Sequence, residues 1–165
     1  MAAPFDANQQ ARFDTEISKL LTQFPPEHKQ AAMMGALRLV QELVGWVPPE
    51  AMDQVAQKLG VHPSKVLEVA TFYVMFHTKK PGEKVIDVCT NISCSLCGAE
   101  KLLATLEKKL GIHAGETTPD GKWTLREAEC LGSCHTAPCL QINEDHHENI
   151  SIKSVDEILA KASLK

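Results

Sequence analysis

Six cysteines in the second half of this 165-residue chain are the residues best suited to chemistry. They are Cys89, Cys94, Cys97, Cys130, Cys134 and Cys139. The first ten residues contain no apolar run, so we expect neither a signal nor a transit peptide, and we expect a reducing compartment. Disulfides are rare in such compartments. Metal binding or thiol redox chemistry is therefore the favoured interpretation.

Two short motifs place four of these thiols in loops. Cys89 and Cys94 are spaced C-x4-C between a predicted strand and a predicted helix, and Cys130 and Cys134 are spaced C-x3-C after a later predicted strand. Two such loops at the same edge of a sheet would bring four sulfurs together, and four thiolates hold an iron–sulfur cluster. Gly132 has no side chain, so the backbone of the second loop can approach such a cluster closely.

The spacing alone leaves three other arrangements open. Cys89, Cys94 and Cys97 also spell C-x4-C-x2-C, the plant-ferredoxin spacing, with Cys130 or Cys134 as the fourth ligand. Cys94 and Cys97 form a C-x-x-C pair at a predicted helix start, which suits thiol–disulfide exchange. Four of the six cysteines could also hold a structural zinc ion.

Residues 1–80 have the periodic apolar pattern of helices and are predicted to form a helical bundle. Prolines and glycines separate four predicted helices. The boundaries of these helices are marked by Pro25, Gly45, Pro49, Gly60 and Pro63. We expect the aromatic side chains of Trp46, Tyr73 and Phe76 to pack in the core of this bundle.

Residues 81–165 begin at Pro81-Gly82 and are predicted to form an α/β domain of order β-α-β-β-β-α. The predicted strands are 84–88, 123–129, 139–143 and 147–152, and the predicted first helix is 96–110. Ser154 followed by Glu157 predicts a capping box at the start of the last helix. The chain as a whole is therefore predicted to be α+β, with the helical bundle first.

Composition and charge exclude several classes of protein. Hydrophobic residues make up 44% of the chain and charged residues 23%, which is the balance of a folded domain rather than a disordered one. A net charge of −4 argues against a nucleic-acid binder. No stretch is apolar enough to span a bilayer, so any membrane association must come through a partner.

Several stretches of the sequence resemble a known family, the thioredoxin-like [2Fe–2S] ferredoxins, and within it the E subunits of bacterial NADH–quinone oxidoreductases. The two cysteine motifs, Val88–Cys94 and Glu129–Pro138, are the most specific of these stretches. The other stretches are Gly45–Pro49, Val69–Phe76 and Thr118–Lys122. The resemblance covers nearly the whole chain.

This resemblance implies a fold, a cofactor and a ligand set. The implied fold is an N-terminal helical bundle, residues 1–80, followed by a thioredoxin-like α/β domain, residues 81–165. The implied cofactor is one [2Fe–2S] cluster, with Cys89, Cys94, Cys130 and Cys134 as its ligands. The implied activity is electron transfer rather than substrate chemistry, so no catalytic residue is expected.

The resemblance also implies partners and a location. The expected partner is the flavin- and NADH-binding subunit of the same complex, which carries FMN, and the large iron–sulfur subunit is a further expected neighbour. This chain itself has no G-x-G-x-x-G fingerprint. We expect a cytoplasmic protein held at the inner face of the plasma membrane through the complex. Two alternatives are the diaphorase module of an NAD-linked hydrogenase or formate dehydrogenase, and a thiol–disulfide oxidoreductase using Cys94 and Cys97.

Other residues near the motifs could serve the fold or the site. Cys139 is predicted to be a small core residue on a strand, and Cys97 either another core residue or a spare ligand for the cluster. His135 follows Cys134 directly, where it could tune the cluster or simply be exposed. His146 and His147 are predicted to lie in a solvated turn.

Overall fold

The computed structural model describes residues 3–164. The chain forms two compact units, and the boundary between them along the sequence falls between Lys80 and Pro81. The first unit is helical and the second combines helices with a sheet. This agrees with the predicted α+β class. Within residues 3–164, no helix combines the length and the apolar character needed to cross a bilayer.

The first unit contains four α-helices and a 3₁₀ segment at Pro26–Ala32, which the sequence analysis did not predict. The α-helices are α1 (Ala7–Leu21), α2 (Met33–Val44), α3 (Pro49–Leu59) and α4 (Pro63–Phe72). Asp6 begins α1 with a capping box, in which its carboxylate accepts a hydrogen bond from the Gln9 N–H at 2.8 Å. Gly45 ends α2 in the left-handed conformation (φ 86°) that glycine adopts most readily.

The core of the first unit is made from the inward faces of these helices. Phe13 and Ile17 of α1 are fully buried and pack with Leu37 and Val40 of α2 and with Val55 of α3. This matches the 3.6-residue period that predicted the helices.

The three aromatic residues expected in this core only partly follow the prediction. Phe76 is buried, as expected, but Tyr73 is 43% exposed and Trp46 is only partly buried. The prediction for Tyr73 is wrong because α4 ends at Phe72. The backbone of Tyr73 is extended (φ −91°, ψ 112°), so its side chain leaves the buried face of the helix.

The second unit has the predicted order of elements, except that two helices rather than one follow the first strand. Its strands are β1 (Lys84–Cys89), β2 (Trp123–Ala128), β3 (Leu140–Ile142) and β4 (Asp145–His147). Its helices are α5 (Ile92–Leu96), α6 (Ala99–Leu110) and α7 (Val155–Ser163). The strands form a sheet in the order β2-β1-β3-β4, in which β1 and β2 are parallel and the other pairs antiparallel.

The sheet and α6 share a hydrophobic core. Ile86 and Val88 of β1, Leu125 of β2 and Leu102 and Leu106 of α6 are all buried in it. These apolar contacts fix the parallel pairing of β1 with β2, from whose ends the cysteine loops leave the sheet.

Three local predictions for the second unit are wrong. The helix predicted at 96–110 is divided, because Gly98 adopts a left-handed conformation (φ 96°) between α5 and α6. The strand predicted at 147–152 lies at Asp145–His147. Asn143 (φ 52°) makes a tight turn before this strand, and Asn149 (φ 50°) turns the chain away after it.

The capping box predicted between Ser154 and Glu157 also differs. It forms instead between Ser151 and Ser154, at a short 3₁₀ turn before α7. The hydroxyl of Ser151 accepts a hydrogen bond from the Ser154 N–H at 3.2 Å. The cap therefore begins one turn earlier than the sequence indicates.

We predict that Leu106→Ala will lower the free energy of unfolding by about 2–5 kcal/mol, because it leaves a cavity in the core beside the sheet. Urea denaturation followed by circular dichroism measures this change. Leu96→Ala is the matched control, since Leu96 is exposed on α5 and its truncation should cost less than about 0.5 kcal/mol. An equal loss of unfolding free energy in Leu106→Ala and Leu96→Ala would contradict the assignment of Leu106 to the core.

Candidate metal centre

The sheet topology gathers five of the six cysteines towards one edge. Parallel strands β1 and β2 end together, with Cys89 opposite Ala128, so the loops that follow them leave from the same edge. Antiparallel β3 begins at this edge, because Val88 pairs with Leu140. Cys139, just before β3, therefore lies beside Cys89, whose N–H donates to the Cys139 carbonyl at 3.2 Å.

Cys89, Cys94 and Cys139 form a group of buried thiols, which we call the sulfur trio. Their Sγ atoms all lie within 4.8 Å of one another, and Cys94 Sγ is 3.8 Å from Cys139 Sγ. Cys89 ends β1, Cys94 lies on the short helix α5, and Cys139 precedes β3. The predicted burial of Cys139 is correct, and its sulfur also contacts one of the predicted ligands.

The pKa values of the trio follow from burial and hydrogen bonding. Burial alone would raise the pKa of the Cys89 thiol. Hydrogen bonds from the backbone N–H groups of Asn91 and Leu131, and from Cys94 and Cys139, outweigh burial and lower the pKa below its usual value. Cys89 is therefore the thiol of the trio that ionises most readily.

The other two thiols are harder to ionise. Burial raises the pKa of Cys94, and the neighbouring Cys89 raises it further, although the Cys139 backbone N–H acts in the opposite direction. Burial, followed by the proximity of Cys94 and Cys89, raises the pKa of Cys139 to about 12. Of the three thiols, Cys89 is therefore the first to lose its proton as the pH rises.

The loop that carries Cys130 and Cys134 lies against the trio. Leu131, inside this loop, and Ala137, just after it, pack against the cluster that the three buried thiols form with Ala99. The loop turns at Gly132, whose φ is 83° and whose N–H donates to Cys130 Sγ at 3.4 Å. A residue with a side chain would be strained in this conformation.

The predicted ligands are thus found in two environments. Cys89 and Cys94 lie in the buried trio, whereas Cys130 and Cys134 are exposed on the adjoining loop. Among the residues that the structure describes, the compact metal-ligating group contains Cys139 rather than Cys130 or Cys134. Ligation by Cys89, Cys94, Cys130 and Cys134 therefore stays a prediction.

The chemistry of this edge fits an iron–sulfur cluster. Soft thiols are the ligands that such clusters take, and backbone N–H groups already point at the sulfurs of Cys89, Cys94 and Cys130. These donors stabilise negative sulfur, which is the state of a ligating thiolate.

Side chains after β4 hold the cysteine loop in place. Ser133 is buried, and its hydroxyl donates to Glu148 Oε1 at 2.7 Å. His146 Nε2 lies 2.7 Å from the same hydroxyl, and because a hydroxyl has one proton, His146 is the donor in that contact. The Asn149 N–H donates to the Thr136 carbonyl at 2.8 Å. We call Ser133, Thr136, His146, Glu148 and Asn149 the loop anchor.

The loop anchor was missed by the sequence analysis. His146 is exposed, as predicted, but it lies on β4 rather than in a turn, and its side chain contacts Ser133. The sequence offered one signal for the loop anchor, which is that Ser133 and Thr136 lie inside the motif and can form hydrogen bonds. Their partners lie more than ten residues away along the chain. His135 is exposed, and a tuning role for it stays a prediction.

Cys97 lies outside the sulfur trio. It is exposed at the end of α5, so the expectation that it packs in a core is wrong. The interruption of the predicted helix at Gly98 explains this, because Cys97 falls in the turn between α5 and α6. Of the C-x-x-C pair, Cys94 is buried and Cys97 is exposed.

Comparisons with known proteins agree with this chemistry. The family model described as thioredoxin-like [2Fe–2S] ferredoxin matches residues 17–163. The E 2 subunit of NADH-quinone oxidoreductase of Rhizobium meliloti is 44% identical over 87% of this chain and 84% of its own length. NADH-quinone oxidoreductase subunit 2 of Thermus thermophilus is 39% identical over 87% of this chain and 80% of its own length.

Two further relatives are longer than this chain. A mitochondrial NADH dehydrogenase (ubiquinone) flavoprotein 2 of Dictyostelium discoideum is 41% identical over 94% of this chain, which spans 63% of that protein. A crystal structure of an NAD+-reducing [NiFe]-hydrogenase superposes with a TM-score of 0.70 at 20% identity, covering 81% of this chain and 23% of the other. At that identity the likeness concerns the fold.

We predict that Glu148→Gln will reduce the sensitivity of the protein to acid. The hydrogen bond from Ser133, then that from Thr136, lowers the pKa of Glu148, with His146 and His135 adding to the effect. A lowered pKa means that the ionised carboxylate stabilises the fold above its unfolded-state pKa. This contribution is lost as the pH falls through the folded-state value.

The thermal midpoint Tm, measured by circular dichroism, should therefore fall less between about pH 6 and about pH 3 in Glu148→Gln than in the wild type. Glu144→Gln is the control, because Glu144 is an exposed residue of the β3–β4 turn. An equal fall in Tm on acidification in Glu148→Gln and in the wild type would contradict the anchoring role of Glu148.

Proposed function

The chain belongs to the thioredoxin-like [2Fe–2S] ferredoxin family, and we propose that it is the electron-transfer subunit of the NADH-oxidising module of an NADH–quinone oxidoreductase. The observation that carries this proposal is the sulfur trio with the cysteine loop packed on it. The names of the R. meliloti and T. thermophilus relatives support the choice of complex.

We propose Cys89, Cys94, Cys130 and Cys134 as the ligands. When bound, the cluster takes up and returns one electron at a time. The residues of this chain hold it at a fixed edge of the sheet, and the N–H groups of Asn91, Leu131 and Gly132 supply hydrogen bonds to its sulfur ligands. Burial of Cys89 and Cys94 keeps water from that side of the site.

The exposed face of α5 supports a partner that covers the site. Ile92 is 75% exposed and Leu96 84%, and both lie on the short helix that carries Cys94. Contiguous apolar patches at a protein surface mark interaction sites. We infer that this face meets the flavin- and NADH-binding subunit of the complex, whose FMN then exchanges electrons with the cluster.

NADH and FMN would then bind to that partner rather than to this chain. This agrees with the absence of a dinucleotide-binding fingerprint from the sequence of this chain. The large iron–sulfur subunit of the complex is the next proposed neighbour. The proposed location is the cytoplasmic side of the plasma membrane, reached through the complex. The relatives at 39% and 44% identity favour the respiratory host over a hydrogenase or formate dehydrogenase.

We predict about two irons and two inorganic sulfides per chain after anaerobic purification, with a low-temperature EPR signal on reduction. Cys130→Ala and Cys134→Ala should each lower the iron content at least about tenfold, because each removes a thiolate ligand. Cys97→Ala is the control and should keep the wild-type iron content. A colourless, zinc-loaded wild type would overturn the proposed function, and loss of iron in Cys97→Ala would favour the plant-type ligand set.

We predict that Leu96→Glu will weaken binding to the flavin-containing partner without removing the cluster, because it places a charge on the apolar face of α5. Co-purification from cells that express the whole complex measures the binding, and visible absorbance measures the cluster. Leu164→Glu, at an exposed position after α7, is the control. Unchanged recovery of the partner with Leu96→Glu would contradict the assigned face. The identity of the partner also separates a respiratory host from a hydrogenase.

A further inference from the structure

The candidate centre contains more sulfur than a [2Fe–2S] cluster uses. Four thiolates complete such a cluster, and the proposed ligands already supply four. Cys139 adds a fifth thiol, and it lies in the buried trio rather than at the surface. No part of the proposed function uses this thiol.

We propose that Cys139 is a reserve ligand of the cluster, whose thiol takes the place of Cys94 on the iron when Cys94 is lost. This inference rests on the proposed function, because it presupposes that Cys94 is a ligand. It gives the spare-ligand role to Cys139 rather than to Cys97.

The distance between the two sulfurs supports this substitution. Cys94 Sγ and Cys139 Sγ are 3.8 Å apart. Two thiolates bound at about 2.3 Å to one tetrahedral metal ion are about 3.8 Å from each other. Cys139 Sγ is also within 4.8 Å of Cys89 Sγ, which would remain as a ligand. The Cys139 sulfur therefore lies one ligand-to-ligand spacing from the position that the Cys94 sulfur occupies.

The backbone holds Cys139 in this position. Its carbonyl accepts the Cys89 N–H at 3.2 Å, and its own N–H donates to the Cys94 sulfur. The side chain is fully buried at the beginning of β3. In contrast, Cys97 is exposed in the turn after α5, where no strand pairing holds it.

The exchange leaves the charge of the site unchanged. The iron–sulfur bond of Cys94 is absent in a variant without that thiol. The S–H bond of Cys139 breaks, its proton passes to solvent, and a new iron–sulfur bond forms to the resulting thiolate. No electron is transferred, and four thiolates again surround the two irons.

The test compares four variants of the full chain, each expressed alone and purified anaerobically. The variants are Cys94→Ala, Cys139→Ala, Cys94→Ala/Cys139→Ala and Cys94→Ala/Cys97→Ala. Iron and sulfide analysis measures the cluster content. Visible absorbance and EPR report a change of ligand, and circular dichroism shows that each variant is folded. Cys94→Ser repeats the test with a smaller change in side-chain volume.

We expect Cys139→Ala to keep the wild-type content, with about two irons per chain. Cys94→Ala should keep most of its iron but give a shifted EPR spectrum, because the new thiolate comes from the beginning of β3 rather than from α5. Cys94→Ala/Cys97→Ala should behave in the same way. The iron content of Cys94→Ala/Cys139→Ala should be at least about tenfold lower than that of Cys94→Ala.

Three results would overturn the reserve role. One is loss of the cluster from folded Cys94→Ala and Cys94→Ser. Another is iron retained in the Cys94→Ala/Cys139→Ala variant, and the third is loss of iron from Cys139→Ala alone, which would make Cys139 a primary ligand. A wild type without a cluster would instead overturn the proposed function, so the two failures are distinguishable.

Discussion

Repulsion between sulfur charges is the constraint on which this centre depends. Two thiolates 3.8 Å apart, the separation of Cys94 and Cys139, repel each other by about 4 kcal/mol at an effective dielectric constant of about 20. The protein keeps these sulfurs together by leaving Cys139 protonated, with its pKa at about 12, and by giving Cys89 the hydrogen-bond donors that lower its pKa. The positive charge of bound iron would likewise offset the repulsion between the thiolates that hold it.

The sheet makes this crowding possible because its strands cannot slide relative to one another. Apolar residues of β1 and β2 are buried in the core of the second unit, and a shift of one residue would expose them. The half-buried ion pair between Asp87 and Arg126, 2.7 Å apart, joins the same two strands. With β3 paired on the other side of β1, the positions of Cys89 and Cys139 follow from the register of the strands.

The local features of the fold could be predicted from the sequence, and the long-range ones could not. The helices of the first unit follow from apolar periodicity, and β1 from a short β-rich run before Cys89. Both cysteine motifs are local, so their loops were recognisable. Cys139 joins the site only through the pairing of β3 with β1. Likewise, the contact of His146 with Ser133 depends on where β4 ends. A single sequence does not show which distant residues meet in either contact.

The two halves of the proposed ligand set are held by different means. The buried sulfurs are fixed by strand register and core packing, which change only if the second unit unfolds. Cys130 and Cys134 are exposed, and their loop is held by the hydrogen bonds of the loop anchor and by the packing of Leu131 and Ala137. Such bonds contribute about 1 kcal/mol each, far less than the core. The exposed side of the centre is therefore held less strongly than the buried side.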